Sequence, residues 1–327
     1  MDKKTLYIID FFNLLFRMYY AVPAMQTKTG LQVNAAFGVI RFLLQLLQKQ
    51  ECTHLVLACD SGSQTFRTDM YEAYKSNRDR MPDELSTQLD IVWKFLELVD
   101  LPRETLPGFE ADDIIGTLAT KYAATDEVDE VVIISSDKDL FQFIDGKKVY
   151  VYDGMKKRRY GLEGAREKFG VDPEYIVDYL AIVGDTSDCI PGVKGIGPKG
   201  AVKLIEQYGG VEQIYSHIDE ISGRTQTLLI ESQDLAFMSK KLATIDCDVS
   251  LEHDISHYRV ISLDEIFSDN LVQFLYDNEF RSLVPSEYEQ IQYIPKDVTL
   301  TDIHTQSEWG GVLHVVSQCD EILVTTT

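Results

Sequence analysis

The sequence predicts an α/β fold in which helices cover both faces of a central, mainly parallel sheet. Three short apolar runs without polar alternation, residues 6–10, 54–60 and 131–137, indicate strands that are buried on both faces. Helical patterns separate these runs along the chain. Strands that alternate with helices are typical of a parallel sheet.

The helices between the predicted strands are recognised by apolar residues at a period near 3.6. Residues 34–49 form the first of these helices and residues 83–99, which follow Pro82, form the second. The apolar positions are Phe37, Ile40, Leu44 and Leu47 in the first, and Leu85, Leu89, Val92, Trp93 and Leu96 in the second. A third helix begins in "GFEADDIIGTLA", residues 108–119, before the third strand. The first two strands are thus each followed by chain that can return as a helix.

The composition indicates a globular protein of one large or two smaller domains, with 327 residues, 45% hydrophobic and 26% charged. The formal net charge of −22 argues against a general polyanion binder that is held by its overall field. A nucleic-acid partner would therefore need local basic patches or metal ions.

Cysteine usage and the N-terminus predict a cytoplasmic protein with no membrane association. The five cysteines are scattered and contain no CxxC pair, which excludes zinc-ribbon spacing and fits a reducing compartment. Asp10, Asn13 and Arg17 interrupt the apolar N-terminal stretch, and no small-residue cleavage site follows closely. No run reaches 18 uninterrupted apolar residues.

Carboxylates follow the predicted strands, because Asp10, Asp60 and Asp137 each come at a strand end. A single aspartate there is more often a turn residue, and acids in a first helical turn often serve only the helix dipole. In open parallel sheets, however, ligands bind beside the carboxyl ends of the strands. Three such ends together with the acidic residues 110–113 favour a common site.

Two further pairs of aspartates join this set. Asp139 lies two residues after Asp137, on the same side if the chain stays extended, and one helical turn would put Asp185 and Asp188 on one side. The nine candidate metal ligands are Asp10, Asp60, Glu110, Asp112, Asp113, Asp137, Asp139, Asp185 and Asp188. So many like charges need compensation, and all-oxygen ligands without histidine or cysteine favour Mg²⁺ or Mn²⁺.

A glycine- and lysine-rich stretch, "GVKGIGPKGAVKLIEQYGG", covers residues 192–210. We call residues 192–200 the glycine hairpin. Glycine lets a backbone approach a ligand closely, and a following helix start offers N–H groups to phosphate. A glycine-dependent helix–turn–helix corner explains the same pattern, but three lysines without an acid favour phosphate contact in so acidic a chain.

Two other basic stretches are present. Residues 74–80, "YKSNRDR", hold no apolar residue after Tyr74, which predicts a mobile segment. Residues 156–159, "KKRR", fit a charged hairpin tip equally well. After residue 210 the chain is acidic and helical, and after 288 the pattern predicts strands of a further domain that the sequence does not complete.

Taken together, these motifs resemble the 5′-nuclease domain of bacterial DNA polymerase I, within the flap-endonuclease superfamily. The resemblance spans residues 5–285 and includes "YIIDFFNLLFRMYYA", "FRTDMYEAYKSNR", "GFEADDIIGTLA", "ISSDKDLFQFI" and "YLAIVGDTSDCIPGVKGIGPKGA" in family order. It implies a PIN-like core over residues 1–170 and a helical DNA-binding region with a helix-hairpin or helix-two-turn-helix motif over 171–287. It also implies that residues 288–327 begin a 3′-5′ exonuclease-like domain, although "LVTTT" lacks the Asp-x-Glu pair of proofreading enzymes.

The resemblance implies a structure-specific 5′-3′ exonuclease and flap endonuclease that hydrolyses DNA with two divalent ions, in replication and repair. One ion would lie at Glu110, Asp112 and Asp113 with Asp60 and Asp10 close by, and the other at Asp137, Asp139, Asp185 and Asp188. Lys75 and Arg78 would reach the scissile phosphate, and Tyr74 would stack on the terminal base. The DNA-binding residues would be Arg17, Arg67, Gly192, Lys194, Gly195, Gly197 and Lys199, with a K⁺ ion at the glycine hairpin.

The expected partners are flapped, nicked or branched DNA and the remainder of a polymerase chain, with the protein acting as a monomer. Two other functions compete with this one. A catalytically silent DNA-binding module would keep the fold, but the intact acidic motifs count against it. A phosphatase or phosphotransferase that forms an aspartyl-phosphate would need a second aspartate two residues after Asp10, where this chain has Phe12.

Overall fold

A computed structural model describes residues 3–48, 52–78, 80–261 and 263–288. The prediction of a further domain after residue 288 therefore lies outside the described residues. Within the described ranges, no helix is both long and apolar enough to cross a membrane.

The centre of the fold is a six-stranded sheet in the order β3-β2-β1-β4-β5-β6. The strands are β1 Thr5–Asp10, β2 His54–Ala58, β3 Arg103–Glu104, β4 Glu130–Ile134, β5 Val149–Asp153 and β6 Arg158–Tyr160. The first five are parallel to their neighbours, and β6 pairs with β5 as an antiparallel hairpin. The prediction of a mainly parallel sheet from the runs at 6–10, 54–60 and 131–137 is confirmed.

Thirteen α-helices are described, together with short 3₁₀-helices. Up to residue 170 they are α1 Phe11–Ala21, α2 Asn34–Leu47, α3 Phe66–Met70, α4 Asp83–Leu98, α5 Ala111–Ala123 and α6 Leu162–Phe169. Further along the chain they are α7 Ile176–Val183, α8 Pro198–Tyr208, α9 Val211–Ser216, α10 Arg224–Glu231, α11 Gln233–Ala243, α12 Leu263–Ile266 and α13 Asp269–Asp277. The helices predicted at 34–49 and 83–99 are α2 and α4.

Two apolar clusters lie on the two faces of the sheet. Leu6 and Ile8 of β1 belong to a cluster with α5 and with α7, α8 and α11, whereas Ile9 belongs to a second cluster with α1, α2, α4 and α13. Because neighbouring strand residues point to opposite faces, the run "LYIID" must be apolar throughout to serve both clusters. This double coverage leaves the carboxyl ends of the strands as the accessible edge of the sheet.

Short turns bring the acidic motifs to that edge. Asp10 ends β1 and also caps α1, where its Oδ1 accepts a hydrogen bond from the backbone N–H of Asn13 at 3.3 Å. Asp139 does not continue an extended chain after Asp137, as the sequence had suggested, because a 3₁₀-helix begins at Asp139. Asp185 and Asp188 lie in a turn and not in a helix, since α7 ends at Val183.

The basic stretch at 156–159 forms the tip and the second strand of the β5–β6 hairpin. Arg158 pairs with Glu167 and Arg159 pairs with Glu130, so both charges are matched by acids of the chain itself. The interpretation as a charged hairpin tip is therefore the one that the structure supports.

Candidate active site

The carboxyl edge of the sheet gathers acidic side chains from several segments of the chain. Asp60, just after β2, accepts a hydrogen bond on Oδ1 from the backbone N–H of Ala111 at 2.9 Å. This bond fixes the first turn of α5, with Glu110 and Asp112, against the end of the neighbouring strand. Asp10 is 7% exposed and Glu110 is 7% exposed, so both carboxylates are largely removed from water.

We call Asp10, Asp60, Glu110 and Asp112 the first group. The carboxylates of this group are close enough for their charges to interact. Burial raises the pKa of Asp10 to about 7, with further contributions from the nearby charges of Asp137 and Asp60. Burial also raises the pKa of Asp112 well above its usual range, and the negative charge of Asp137 adds to the effect. A positive charge beside Asp10 and Asp112 would be favourable, because it would stabilise their ionised forms.

A second group consists of Asp139, Asp185 and Asp188. One oxygen from each lies within 4.8 Å of the others, and the three residues are 9%, 5% and 7% exposed. Asp139 Oδ1 is buried and has no hydrogen-bond partner among the described residues. Burial raises the pKa of Asp139, reinforced by the charges of Asp137, Asp188 and Asp185. An unpaired buried carboxylate oxygen is costly unless a cation or a donor reaches it.

Asp137 connects the two groups. Its charge raises the pKa of Asp10 and Asp112 on one side and the pKa of Asp139 on the other. Ser135 orders this junction, because its Oγ accepts from the backbone N–H of Asp137 at 2.9 Å and donates to Asp10 Oδ2 at 2.8 Å. The acidic residues of the two groups therefore form one continuous electronegative cleft.

Three basic side chains border the cleft. Lys75 Nζ lies 2.9 Å from Glu110 Oε2 and 3.7 Å from Asp188 Oδ2, and so stands between the two groups. Arg78 donates to Asp188 Oδ1 at 2.7 Å, and Lys138 Nζ lies 2.8 Å from Asp185 Oδ1. Burial alone would raise the pKa of Asp185, but the hydrogen bonds from Lys138 and Ser187 outweigh burial and lower this pKa.

Arg67 and Asp113 do not have the roles that were predicted for them. Arg67 is 1% exposed, which leaves its guanidinium inaccessible to DNA. Its two terminal nitrogens donate to Asp113 at 2.8 and 2.7 Å, and both Asp113 oxygens are thereby occupied. Asp113 is 0% exposed and also accepts from the backbone N–H groups of Glu110 and Asp246. A bidentate buried pair of this kind is structural, so neither residue is available as a ligand for metal or DNA.

The position of Tyr74 differs from the sequence-based expectation of a base-stacking residue. Tyr74 is 4% exposed and its hydroxyl donates to Glu110 Oε2 at 3.1 Å, so the ring offers no face on which a base could stack. The segment is held against residues 185–190, because the backbone N–H of Lys75 donates to Asp188 O and the amide of Asn77 donates to Thr186 O. These hydrogen bonds and the buried Tyr74 ring place the segment beside residues 185–190. The mobility of residues 74–80 stays a prediction, and residue 79 lies outside the described residues.

Arg17 lies at the rim of a small cavity between α1, the end of β4 and the β5–β6 hairpin. Asn13, Ser135, Ser136 and Gly154 also line this cavity. The Arg17 guanidinium is paired with Asp153 Oδ1 at 3.1 Å and its side chain is 28% exposed. It is accessible from outside, unlike Arg67.

The glycines of the glycine hairpin differ in their exposure to solvent. Gly192 is buried, Gly195 and Gly197 are exposed, and Lys194 and Lys199 are exposed beside them. Gly197 directly precedes α8, and a Cβ on Gly197 would meet no atom within 4 Å. The exposed part of the hairpin can therefore receive a ligand, while Gly192 belongs to its packed base.

Three residues of this region were not predicted from the sequence. Lys138 could have been predicted from the sequence, because it lies between Asp137 and Asp139, whose two negative charges repel each other. Ser135 and the buried hydroxyl of Ser239, which accepts from the backbone N–H of Gly192 at 3.0 Å, carry no signal in the sequence. Ser135 lies 125 residues from Asp10 and Ser239 lies 47 residues from Gly192, so only folding brings these atoms together.

The donor set fits a hard divalent cation. The convergent ligands are carboxylate oxygens, no histidine or cysteine belongs to the two groups, and one buried oxygen of Asp139 has no partner among the described residues. These are the ligand type and the electrostatic surroundings that Mg²⁺ and Mn²⁺ prefer.

Comparison with known proteins agrees with this geometry. Residues 5–170 match the family model of the 5′-3′ exonuclease N-terminal, resolvase-like domain, and residues 171–265 match that of the 5′-3′ exonuclease C-terminal SAM fold. The class of protein is therefore a nuclease with a resolvase-like α/β domain followed by a helical domain.

Individual relatives define the family more closely. The chain is 36% identical over 251 residues to the 5′-3′ exonuclease of Aquifex aeolicus, covering 77% of this chain and 86% of that protein. It is 35% identical over 323 residues to DNA polymerase I of Caldicellulosiruptor bescii, covering 96% of this chain but only 37% of the polymerase. The chain belongs to the 5′-3′ exonuclease family, and it spans little more than a third of that polymerase.

Solved structures agree with the family assignment. The bacteriophage T5 flap endonuclease, in a pseudo-enzyme-product complex with DNA and metal ions, superposes with a TM-score of 0.61 at 25% identity. The match covers 85% of this chain and 99% of the phage protein. The fold is thus shared over nearly the whole of that enzyme.

Proposed function

We propose that this chain is a divalent-cation-dependent 5′-3′ exonuclease and 5′-flap endonuclease that hydrolyses phosphodiester bonds of DNA. The observation that carries the proposal is the trio Asp139, Asp185 and Asp188, which bring one oxygen each within 4.8 Å of the others. In addition, the buried Asp139 Oδ1 has no hydrogen-bond partner in the part of the chain that the structure describes. Such an arrangement is unfavourable for stability alone and favourable for holding a cation.

Two Mg²⁺ or Mn²⁺ ions are proposed at the cleft, one at each group of carboxylates. Glu110 and Asp112, with Asp10 and Asp60 nearby, would hold one ion, and Asp137, Asp139, Asp185 and Asp188 would hold the other. Asp113 is left out of this set because Arg67 occupies both of its oxygens. When bound, the ions supply positive charge that lowers the pKa of water and offsets charge on phosphate oxygens.

The side chains of the chain itself would bind and orient the phosphate. Lys75 Nζ, between Glu110 and Asp188, is placed where a phosphate bridging the two groups would accept a hydrogen bond. Burial opposes the charge of Lys75, but Asp112, Glu110 and Asp188 outweigh it and raise the Lys75 pKa, so the ammonium stays protonated at neutral pH. A fixed positive charge stabilises the charge that accumulates in the transition state of hydrolysis. Arg78 would provide a second donor from the same segment.

The helical region is proposed to bind the duplex part of the substrate. Lys194 and Lys199 flank the exposed glycines of the hairpin, and a K⁺ ion there would be shared with the DNA backbone. Phosphate contacts of this kind carry no sequence information, so recognition would depend on DNA structure. Flapped, nicked or branched DNA is the proposed substrate, with Arg17 as an additional contact.

The wider context follows from the polymerase relatives and is also a proposal. The nuclease core would be residues 1–170 and the DNA-binding region 171–287, with residues 288–327 leading into the remainder of a DNA polymerase I that acts in replication and repair. The cytoplasmic location and the monomeric state remain predictions from the sequence.

One assay tests the proposed activity and its alternative. A 5′-labelled flap and a nicked duplex are incubated with the protein in Mg²⁺, in Mn²⁺ and in EDTA. Cleavage near the 5′ end that requires the cation is expected. Tight DNA binding without cleavage in any cation would instead support a catalytically silent DNA-binding module.

A further inference from the structure

The turn that carries Asp185 and Asp188, residues 184–190, is joined to the glycine hairpin by its own backbone. We call this segment the aspartate turn. The backbone N–H of Asp185 donates to Ile190 O at 2.9 Å, and the N–H of Ile190 donates to Asp185 O at 2.8 Å. These two hydrogen bonds join the two ends of the turn, and the hairpin begins two residues later at Gly192.

The base of the hairpin packs directly on the start of the aspartate turn. Gly192 has a φ of +61°, and a Cβ at this position would lie 2.4 Å from the backbone nitrogen of Gly184. Val193 N–H donates to Ile182 O at 2.7 Å, just before Gly184. With no side chain between the two backbones, a displacement of one segment must displace the other.

We call the point where the Gly192 and Gly184 backbones meet the crossing. Ser239 on α11 accepts a hydrogen bond there. The backbone N–H of Gly192 donates to Ser239 Oγ at 3.0 Å, and Ser239 is 0% exposed, so water cannot replace the hydroxyl. A buried N–H that loses its acceptor carries a penalty that corresponds to a factor of about ten in an equilibrium. Loss of this hydrogen bond would destabilise the packing of the hairpin against the aspartate turn.

Helix α11 is itself anchored to elements that carry both groups of carboxylates. Lys240 Nζ donates to Asp178 on α7 at 2.7 Å, and α7 leads into the aspartate turn. At the end of α11, Leu242 O accepts from Arg67, which also donates to Glu110 at 3.3 Å. Ser239 therefore projects from a helix whose position is fixed relative to the whole cleft.

We propose that Ser239 is a positioning residue that keeps the aspartate turn and the glycine hairpin together in their binding geometries. The inference rests on the proposed function, in which the turn binds a cation and the hairpin binds duplex. Loss of the hydroxyl then weakens cation binding and duplex binding in parallel, because both depend on the same crossing. A residue that contributed only to global stability would leave both affinities unchanged at temperatures where the protein is folded.

The experiment compares Ser239→Ala and Ser239→Cys with Thr117→Val as the matched control. Cysteine is close to serine in size but is a weak acceptor, so this variant keeps the packing if the alanine variant does not fold. Thr117 is also buried, and its Oγ1 accepts from the backbone N–H of Val249 at 3.2 Å, which makes the control lose the same kind of bond elsewhere. Thermal melts first establish a temperature at which every variant is folded.

Two affinities are then measured without cleavage. Mn²⁺ binding to the DNA-free protein is followed by the paramagnetic resonance of the free ion, and affinity for a nicked duplex is measured in EDTA. Both Ser239 variants should lose about tenfold in the duplex affinity and in one class of Mn²⁺ sites, while Thr117→Val matches the parent. Unchanged affinities, or a loss in only one of the two, would overturn the proposal. Because neither measurement involves turnover, failure here is distinct from a wild-type protein that binds cations and DNA but does not cleave.

Discussion

Replacing Asp10 with Asn should stabilise the protein at alkaline pH when divalent cations are absent. Asp10 is buried beside Asp137 and Asp60, and these surroundings raise its pKa from 3.8 to about 7. The folded state therefore holds the Asp10 proton up to pH about 7, whereas the unfolded chain releases it near pH 4. The contribution of this group to the free energy of unfolding accordingly falls as pH rises between these values and stays low above them.

The size of the effect follows from the shift. A difference of about three pKa units corresponds to about 4 kcal/mol at ~1.4 kcal/mol per unit. The Asn side chain retains the capping of α1, since asparagine and aspartate are equally good at that position. The Asn amide nitrogen then faces Ser135 Oγ, so the Ser135 hydroxyl loses its acceptor and must accept from the amide instead, which offsets part of the gain. We expect a net gain of about 2 kcal/mol for Asp10→Asn at pH 8.

The assay is urea unfolding in EDTA at pH 5 and at pH 8, with Asp219→Asn as the control. Asp219 is exposed in the helical region, so its replacement changes the net charge equally without changing the cleft. The gain for Asp10→Asn should be large at pH 8, small at pH 5, and reduced by saturating Mg²⁺, which stabilises only the chain that binds it. An Asp10→Asn protein less stable than the parent at pH 8 in EDTA, or a gain equal at both pH values, is incompatible with this account of the cleft.

Three further predictions concern the function. Asp185→Asn should reduce single-turnover cleavage of a flap substrate by at least about a hundredfold while duplex binding in EDTA is retained or improved, and near-parental cleavage would contradict its role as a cation ligand. Lys75→Ala should lower the single-turnover rate more than the affinity, because its charge matters most in the transition state; an equal loss of affinity with no change in rate would make Lys75 a simple phosphate contact. The double replacement of Lys194 and Lys199 with Ala should lower the slope of log affinity against log salt by about one unit for each phosphate that is no longer bound, whereas Lys94→Ala, an exposed lysine on α4, should leave the slope unchanged.

The cleft shows that residues with the same chemistry can have different roles. Of the two adjacent acids Asp112 and Asp113, only Asp113 points into the core, where it binds Arg67 with both oxygens. Arg67 and Arg78 lie within the one motif "FRTDMYEAYKSNR", yet Arg67 is buried and Arg78 contacts Asp188 at the cleft. Their sequence context alone does not separate these roles.

Local sequence is enough to predict three of the six strands, β1, β2 and β4, the helices α2, α4 and α5, and the edge at which the acids converge. These features depend on periodicity and on the rule that the carboxyl ends of parallel strands share one edge, which are properties of neighbouring residues. Which carboxylates remain free and which basic groups are accessible depends instead on the packing of distant segments. Arg67, Asp113, Tyr74 and Ser239 acquire their roles from partners 36 to 175 residues away, and burial by partners so distant along the chain cannot be read from a local pattern.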